Sequence, residues 1–205
     1  KLSYVLSNDG RREKRLDVSI GSELQISAAM HEPEGFETKA LCTPCAVNGW
    51  VYAQKTAALK VSGEVKCALG TIKLDDIECY GHHDFSSGFM RRETFWNWGS
   101  LACTLTDGRR LGLNLAAGVV ETGFTENALW LDNSLIKIDM VDFKFQRYGD
   151  KNDCRQWQLR SNDGIINLTF EPVGKRHDKT NLLIIASNFT QHFRKSFRQT
   201  LFFAL

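Results

Sequence analysis

The sequence predicts an all-β protein, folded as an antiparallel lipocalin-like β-barrel or as a curved β-sandwich. Three observations favour this class: no long 3.6-residue hydrophobic periodicity occurs, apolar and polar residues alternate over short stretches, and turn dipeptides separate those stretches. The chain has 205 residues, enough for one domain with a substantial core. We therefore expect a single β-rich region over residues 1–205, with one candidate internal boundary near 120–126.

The composition excludes several classes of protein. Only 3 prolines and a hydrophobic fraction of 42% argue against collagen, coiled coils, mucin-like stalks and disordered chains. The 26 basic and 24 acidic residues give a net charge of +2, which is too balanced for a nucleic-acid binder that works through bulk electrostatics. No apolar run approaches the ~20 residues of a transmembrane helix, so we expect no transmembrane segment.

Both ends of the chain look cut in the middle of an element. Residues 1–6 already alternate like a strand and do not begin with Met, and residues 200–205 form an apolar run without a terminator. We expect a fragment of a longer protein, incomplete at both ends. The alternative is that the last residues are a natural C-terminal strand.

Turn dipeptides predict three hairpins, at Asp107-Gly108, Asp132-Asn133 and Asp163-Gly164. Asp-Gly favours a two-residue turn because it tolerates positive φ at the centre of the turn. The first hairpin is expected to run from about residue 94 to 119. Further strands are predicted at residues 24–30, 50–54, 65–74, 141–147 and 182–189.

The hairpin at Asp163-Gly164 has a simple interpretation. Its turn places Leu159 opposite Leu168 and Trp157 opposite Phe170, and opposed residues share a face of the sheet. One face is then apolar and the other polar, so we predict a structural hairpin without chemistry.

The hairpin at Asp107-Gly108 is predicted to be covered on both faces. A two-residue turn would place Trp98 opposite Ala117, Trp96 opposite Val119 and Thr94 opposite Glu121. One face would carry three leucines, the two tryptophans, Arg92 and Glu121; the other would carry Leu101, Cys103, Asn97, Asn114 and three glycines. Because glycines leave room for a ligand and a buried Asn requires a partner, we expect one of these faces to line a hollow.

Two stretches, residues 81–98 and 121–127, mix titratable and aromatic side chains. A carboxylate beside aromatic walls can have a raised pKa and act as a general acid, whereas an adjacent Arg favours its ionised form. The candidate catalytic residues are Asp84, Glu93, Glu121 and Glu126. The candidate ligand-binding residues are Arg92, Phe95, Trp96, Asn97, Trp98 and Asn114. The alternative is an Arg–Glu network that seals the end of a barrel.

Neither a metal site nor a cofactor is predicted. His82 and His83 are adjacent, so on a strand they would point to opposite faces and could not share one metal ion. Cys42 and Cys45 have the spacing of half a zinc site or of a redox pair, but a second pair with that spacing is missing from the sequence. We interpret them as loop cysteines, and six thiols without a disulfide framework favour a reducing, cytoplasmic compartment.

Several aromatic-rich blocks occur in the order found in one known family. The blocks are 90–98 (MRRETFWNW), 111–115 (LGLNL), 125–130 (TENALW) with Asp132, and 181–183 (NLL). From about residue 41 onward the chain resembles the bacterial domain of unknown function 2804 family. Its members are longer and carry Asp-Gly where this chain has Asp132-Asn133. The family has no established activity, so the resemblance implies no catalytic residues.

More distantly, the chain is similar to lipocalin-type tandem barrels that include carotenoid hydratases and pericyclase-like cyclases. This resemblance implies an apolar or polyene substrate inside a β-barrel.

The sequence thus leads to one main hypothesis and two alternatives. The main hypothesis is a β-barrel pocket that binds a small, largely apolar molecule, where one carboxylate transfers a proton as in a hydratase, isomerase or cyclase, without a cofactor. The first alternative is a non-catalytic carrier or sensor of a lipid-like molecule. The second is a structural or partner-binding module whose apparent pocket is filled by its own side chains.

Overall fold

The computed structural model describes residues 1–6, 12–91, 93–119, 123–145, 156–181 and 186–193. It confirms the all-β fold class. Within these residues the strands form four antiparallel sheets, and the one helical segment is a single 3-10 turn, Leu74–Asp76. The described pairings leave each sheet open, so they agree with a curved sandwich or an open barrel and not with a closed barrel. The described residues contain no helix long and apolar enough to span a membrane.

The chain divides into two compact units, residues 1–137 and 138–205. The larger sheet of the first unit contains β1 (Leu2–Leu6), β2 (Glu13–Ile20), β3 (Leu24–His31), β4 (Lys39–Cys45), β5 (Gly49–Cys67), β6 (Gly70–Lys73) and β7 (Tyr80–Gly88). Its second sheet contains β8 (Asn97–Thr104), β9 (Arg110–Ala117), β10 (Ala128–Leu131) and β11 (Ser134–Lys137), in the order β11-β10-β9-β8.

The second unit contains β12 (Val141–Lys144), β13 (Trp157–Ser161) and β14 (Asn167–Phe170) in one sheet, and β15 (Gly174–Asn181) and β16 (Ala186–Phe193) in another. The predicted register of its hairpin is confirmed, since Leu159 is opposite Leu168 and Trp157 is opposite Phe170. The apolar face is buried or half-buried, whereas the polar face is exposed. Of the strand predicted at 182–189, residues 182–185 lie outside the described residues.

The 19-residue strand β5 organises the larger sheet. Residues 49–55 of β5 pair with β4 and residues 60–67 pair with β3, while β7 pairs with residues 51–60 and β6 with residues 64–67. Between Thr56 and Leu59 the register with β7 shifts, so that Ala57 and Ala58 stand against a single residue of β7. Ala58 has a φ of +56°, and such a bulge bends its strand. The strand predicted at 65–74 is interrupted by a turn after Cys67.

The two sheets of the first unit meet where β9 approaches this bulge. A Cβ atom on Gly112 of β9 would lie 2.9 Å from the Ala57 Cβ atom and 3.0 Å from the Ala58 Cβ atom. Arg110, at the start of β9, donates a hydrogen bond of 3.2 Å to the Ala58 carbonyl oxygen. The adjoining core contains Phe36, Ala57, Leu59, Ala128 and Trp130.

We expect Gly112→Ala to lower the free energy of unfolding by about 1–3 kcal/mol, because the added methyl group overpacks a contact between two backbones. Urea denaturation would measure the change. Gly123→Ala is a matched control, since a Cβ at Gly123 meets no atom within 4 Å. Equal losses in the two variants would contradict the close packing of β9 on β5.

The predicted register of the hairpin at Asp107-Gly108 is wrong by one residue. Trp98 is opposite Ala116, not Ala117. The Leu105 N–H donates to the Arg109 carbonyl oxygen at 2.8 Å, which closes a three-residue loop, and Gly108 takes the positive φ (+86°) that such loops require. A one-residue shift exchanges the faces of one strand.

This shift places Trp98 on the face of Asn114 and leaves the leucines of β9 together with Leu101 on the other face. Strand β9 is buried on both faces, in agreement with the predicted cover. The Asp132-Asn133 turn has the predicted two-residue length, with Leu131 opposite Ser134.

Candidate acid–base site

Three charged residues form a row across the larger sheet of the first unit. Lys55 of β5 is directly opposite Lys39 of β4 on one side and Asp84 of β7 on the other. Since opposed residues share a face, the three side chains lie next to one another. Val51 and Ala53 precede Lys55 on the same face and are buried, so Lys55 occupies a position that points toward the core.

Glu126, in the segment before β10, extends to the middle of this row. Its Oε2 atom lies 3.2 Å from the Lys55 Nζ atom, and Lys55 also forms an ion pair with Asp84. Lys55 is 4% exposed and Glu126 is 5% exposed, whereas the Asp84 side chain is 46% exposed. We call Lys39, Lys55, Asp84 and Glu126 the Lys55 cluster. It combines a buried ion pair with one member that reaches solvent.

Burial dominates the electrostatics of the Lys55 cluster. It raises the pKa of Glu126, and the neighbouring Lys55 ammonium opposes this effect only in part. Burial also lowers the pKa of Lys39, against the opposing influence of Glu126. A carboxyl group that retains its proton above its ordinary pKa is suited to donate that proton to a bound molecule.

A chain of hydrogen bonds fixes the backbone around Glu126. The Trp98 indole N–H donates to Asn114 Oδ1 at 2.9 Å, and Asn114 Nδ2 donates to the Glu126 carbonyl oxygen at 3.1 Å. The Ala116 N–H donates to Asn127 Oδ1 at 2.6 Å. Because Asn114 and Asn127 are buried, their bonds hold Glu126 against β9 and leave its side chain directed at Lys55.

The structure brings some of the predicted site residues together. Asp84 and Glu126 meet at Lys55, and Trp98 and Asn114 join them through the hydrogen bonds to the Glu126 backbone. Glu93 is exposed between β7 and β8, and Asn97 is half-buried on the face of β8 opposite to Trp98. Phe95, Trp96 and Trp98 are 64%, 45% and 41% exposed. Arg92 and Glu121 lie outside the described residues.

A family model described as a domain of unknown function (DUF2804) matches residues 1–195. The chain belongs to this family. No curated protein and no solved structure matches this chain. The match begins about ninety residues before the first aromatic-rich block of the sequence and includes every member of the Lys55 cluster.

Sequence reasoning on this DUF2804 chain missed Lys39 and Lys55, the two lysines of the Lys55 cluster. The strand predicted at 50–54 ended one residue before Lys55, because Gln54, Lys55 and Thr56 resemble the polar end of a strand. One signal was present in the sequence. Val51, Ala53 and Ala57 are apolar residues spaced like the core-facing side of a strand, and Lys55 lies on that same side, between Ala53 and Ala57. A lysine at a core position requires a buried partner, which is the role of Glu126.

The histidines and cysteines lie outside the Lys55 cluster. His82 and His83 are adjacent on β7, so they point to opposite faces as expected, and burial lowers the pKa of His82 to about 4. Cys42 and Cys45 lie in β4 and not in a loop, one exposed and the other buried. Their odd spacing on a strand separates them. Across the described ranges, no three His, Cys, Asp or Glu side chains are grouped to hold a metal ion.

Proposed function

We propose that this DUF2804 chain is an acid–base catalyst that acts on a small, largely apolar molecule, and that Glu126 transfers the proton. The observation that carries the proposal is the Glu126 carboxyl group, buried 3.2 Å from the Lys55 Nζ atom and with its pKa raised by burial. Buried carboxyl groups with raised pKa values concentrate at catalytic sites. The reaction class is that of a hydratase, isomerase or cyclase.

The Lys55 cluster contains the parts of a proton cycle. In the fraction of molecules where Glu126 is protonated, which its raised pKa enlarges, this carboxyl group donates its proton to an unsaturated carbon or an oxygen of the substrate. The Lys55 ammonium then stabilises the carboxylate that remains. Asp84 contacts the same ammonium and has a side chain that is 46% exposed, so the Lys55 cluster reaches solvent at Asp84. The Glu126 carboxylate takes a proton back from the reaction intermediate or from the added water, which returns Glu126 to its starting state without a cofactor.

Exposed aromatic residues support an apolar substrate. Phe95, Trp96 and Trp98 present large apolar surfaces to solvent, and Trp98 is connected to the Glu126 backbone through Asn114. Exposed apolar surface of this kind is common at ligand-binding sites. The resemblance of the sequence to lipocalin-type barrels favours the same substrate class, and the free thiols of the described cysteines favour a cytoplasmic site of action.

The experiment begins with the full-length protein and mass spectrometry of the small molecules that copurify with it. Turnover of the identified molecule is then measured for Glu126→Gln, which we expect to lose a factor of about 10²–10⁴ in kcat, the usual contribution of a general acid. Affinity should change little, because Gln retains the shape and hydrogen-bonding capacity of the side chain.

Glu23→Gln is the control, since Glu23 is exposed in the turn between β2 and β3. Full turnover by Glu126→Gln would show that the proton donor is assigned wrongly. A molecule that binds but is never converted would favour the carrier, and the absence of any bound molecule would favour the structural module.

A further inference from the structure

The two lysines of the Lys55 cluster have different surroundings. They are directly opposed on β4 and β5, an arrangement that is unfavourable when both carry a charge. Lys55 contacts the carboxyl groups of Asp84 and Glu126. In the part of the chain that the structure describes, Lys39 forms no ion pair, is half-buried, and interacts with Glu126 only at longer range.

This difference gives Lys39 a larger neutral fraction of its amine than an exposed lysine has. Burial lowers the pKa of Lys39, and the neighbouring Lys55 side chain is held in place by its carboxylates. Desolvation is one of the conditions under which lysines act as nucleophiles toward carbonyl compounds. The half-buried position also leaves Lys39 accessible to a small molecule.

We propose that Lys39 is an amine nucleophile that forms an imine with a small aldehyde or ketone, assisted by Glu126 across the face of the sheet. This inference rests on the proposed acid–base function and specifies its substrate class. The same carboxyl group that would protonate an unsaturated substrate would protonate the oxygen of a carbonyl group, and the lysine opposite Lys55 would attack its carbon.

The atoms and protons of this step balance. The Lys39 Nζ lone pair attacks the carbonyl carbon, and the oxygen takes the proton of Glu126. The nitrogen then returns a proton to the Glu126 carboxylate, which gives a neutral carbinolamine. Glu126 donates this proton to the hydroxyl group, water leaves, and the iminium ion forms beside the Glu126 carboxylate. The Lys55 ammonium stabilises the negative charge on that carboxylate.

The test uses the full-length protein, benzaldehyde at near-stoichiometric concentration, and sodium cyanoborohydride at pH 7, followed by peptide mass spectrometry. An ordinary lysine has a pKa of about 10.4 and is almost fully protonated at this pH. We expect one benzyl adduct at Lys39, formed at least about ten times faster than at Lys60, which is exposed on the same strand as Lys55. Glu126→Gln should slow this labelling, and Lys39→Arg should remove it while the circular dichroism spectrum stays unchanged.

If Lys39 of the wild-type protein is labelled no faster than Lys60, the inference is wrong. This outcome does not depend on any variant. If that result occurs while Glu126→Gln still loses turnover, the imine is refuted and the acid–base function stands. If Lys39 is labelled selectively while Glu126→Gln keeps full turnover, the imine stands and the proposed role of Glu126 in turnover fails.

Discussion

Lys55→Met is expected to lower the free energy of unfolding by about 3–5 kcal/mol at pH 7, the usual result of removing one partner from a buried ion pair. The variant keeps the volume of the side chain but leaves the Glu126 carboxylate buried without its ammonium partner. Asp84 contributes less to the loss, because its half-exposed carboxylate is hydrated. Urea denaturation followed by tryptophan fluorescence would measure the change.

The pH dependence of this variant follows from Glu126. Its folded pKa lies above the ordinary value of 4.5, and loss of Lys55 removes a group that lowers it. A carboxyl group with a raised folded pKa favours the folded state below its unfolded pKa, and this contribution is lost as the pH rises through the folded pKa. The penalty of Lys55→Met should therefore be largest at pH 7 and shrink toward pH 4.5.

A second substitution separates charge from packing. In Lys55→Met/Glu126→Gln neither member of the buried pair carries a charge, so most of the lost stability should return at pH 7. A double variant as unstable as Lys55→Met, or a penalty that is the same at pH 7 and pH 4.5, would contradict a buried charge as the cause.

Trp130→Ala is expected to cost about 3–5 kcal/mol of unfolding free energy, the range for removing a large aromatic side chain from a core. Trp130 is 0% exposed and belongs to the core formed with Phe36, Ala57 and Leu59. Its indole N–H also donates to the Glu37 carbonyl oxygen at 2.7 Å. Thermal and urea unfolding would both report the loss.

Two further variants separate the causes of this effect. Trp130→Phe keeps an aromatic ring but loses the hydrogen bond to Glu37, so it should give an intermediate loss. Trp96→Ala removes a side chain that is 45% exposed and should change stability by about 0.5 kcal/mol or less, as surface substitutions usually do. Similar losses for Trp96→Ala and Trp130→Ala would show that Trp130 is not a core residue.

Local patterns predicted the fold class, the turn at Asp132-Asn133, and both the turn and the register of the hairpin at Asp163-Gly164, since these features depend on neighbouring residues. The hairpin at Asp107-Gly108 shows what local patterns do not determine. The same kind of dipeptide is compatible with two-residue and three-residue loops, and the choice between them decides whether Trp98 shares a face with Asn114. The sequence contained the right residues and did not determine the register.

The residues of the candidate site also fall into two groups, those that local patterns predicted and those that they did not. The mixture of carboxylates and aromatic residues predicted Asp84 and Glu126 as candidates before any pairing was known. Lys39 and Lys55 became evident only from the alignment of β4, β5 and β7, because no local pattern reports which distant strands become neighbours. Glu126 then comes from a segment 71 positions after Lys55 in the sequence.

The wide separation of these residues along the chain has a consequence for synthesis and for truncation. A nascent polypeptide that already contains Lys39, Lys55 and Asp84 still lacks Glu126, the proposed acid, whose backbone is anchored by Asn114 of β9. The proposed acid–base site is therefore complete only after most of the first unit has been synthesised. A shorter piece that ends before residue 126 could retain many strands and would lack the proposed proton donor.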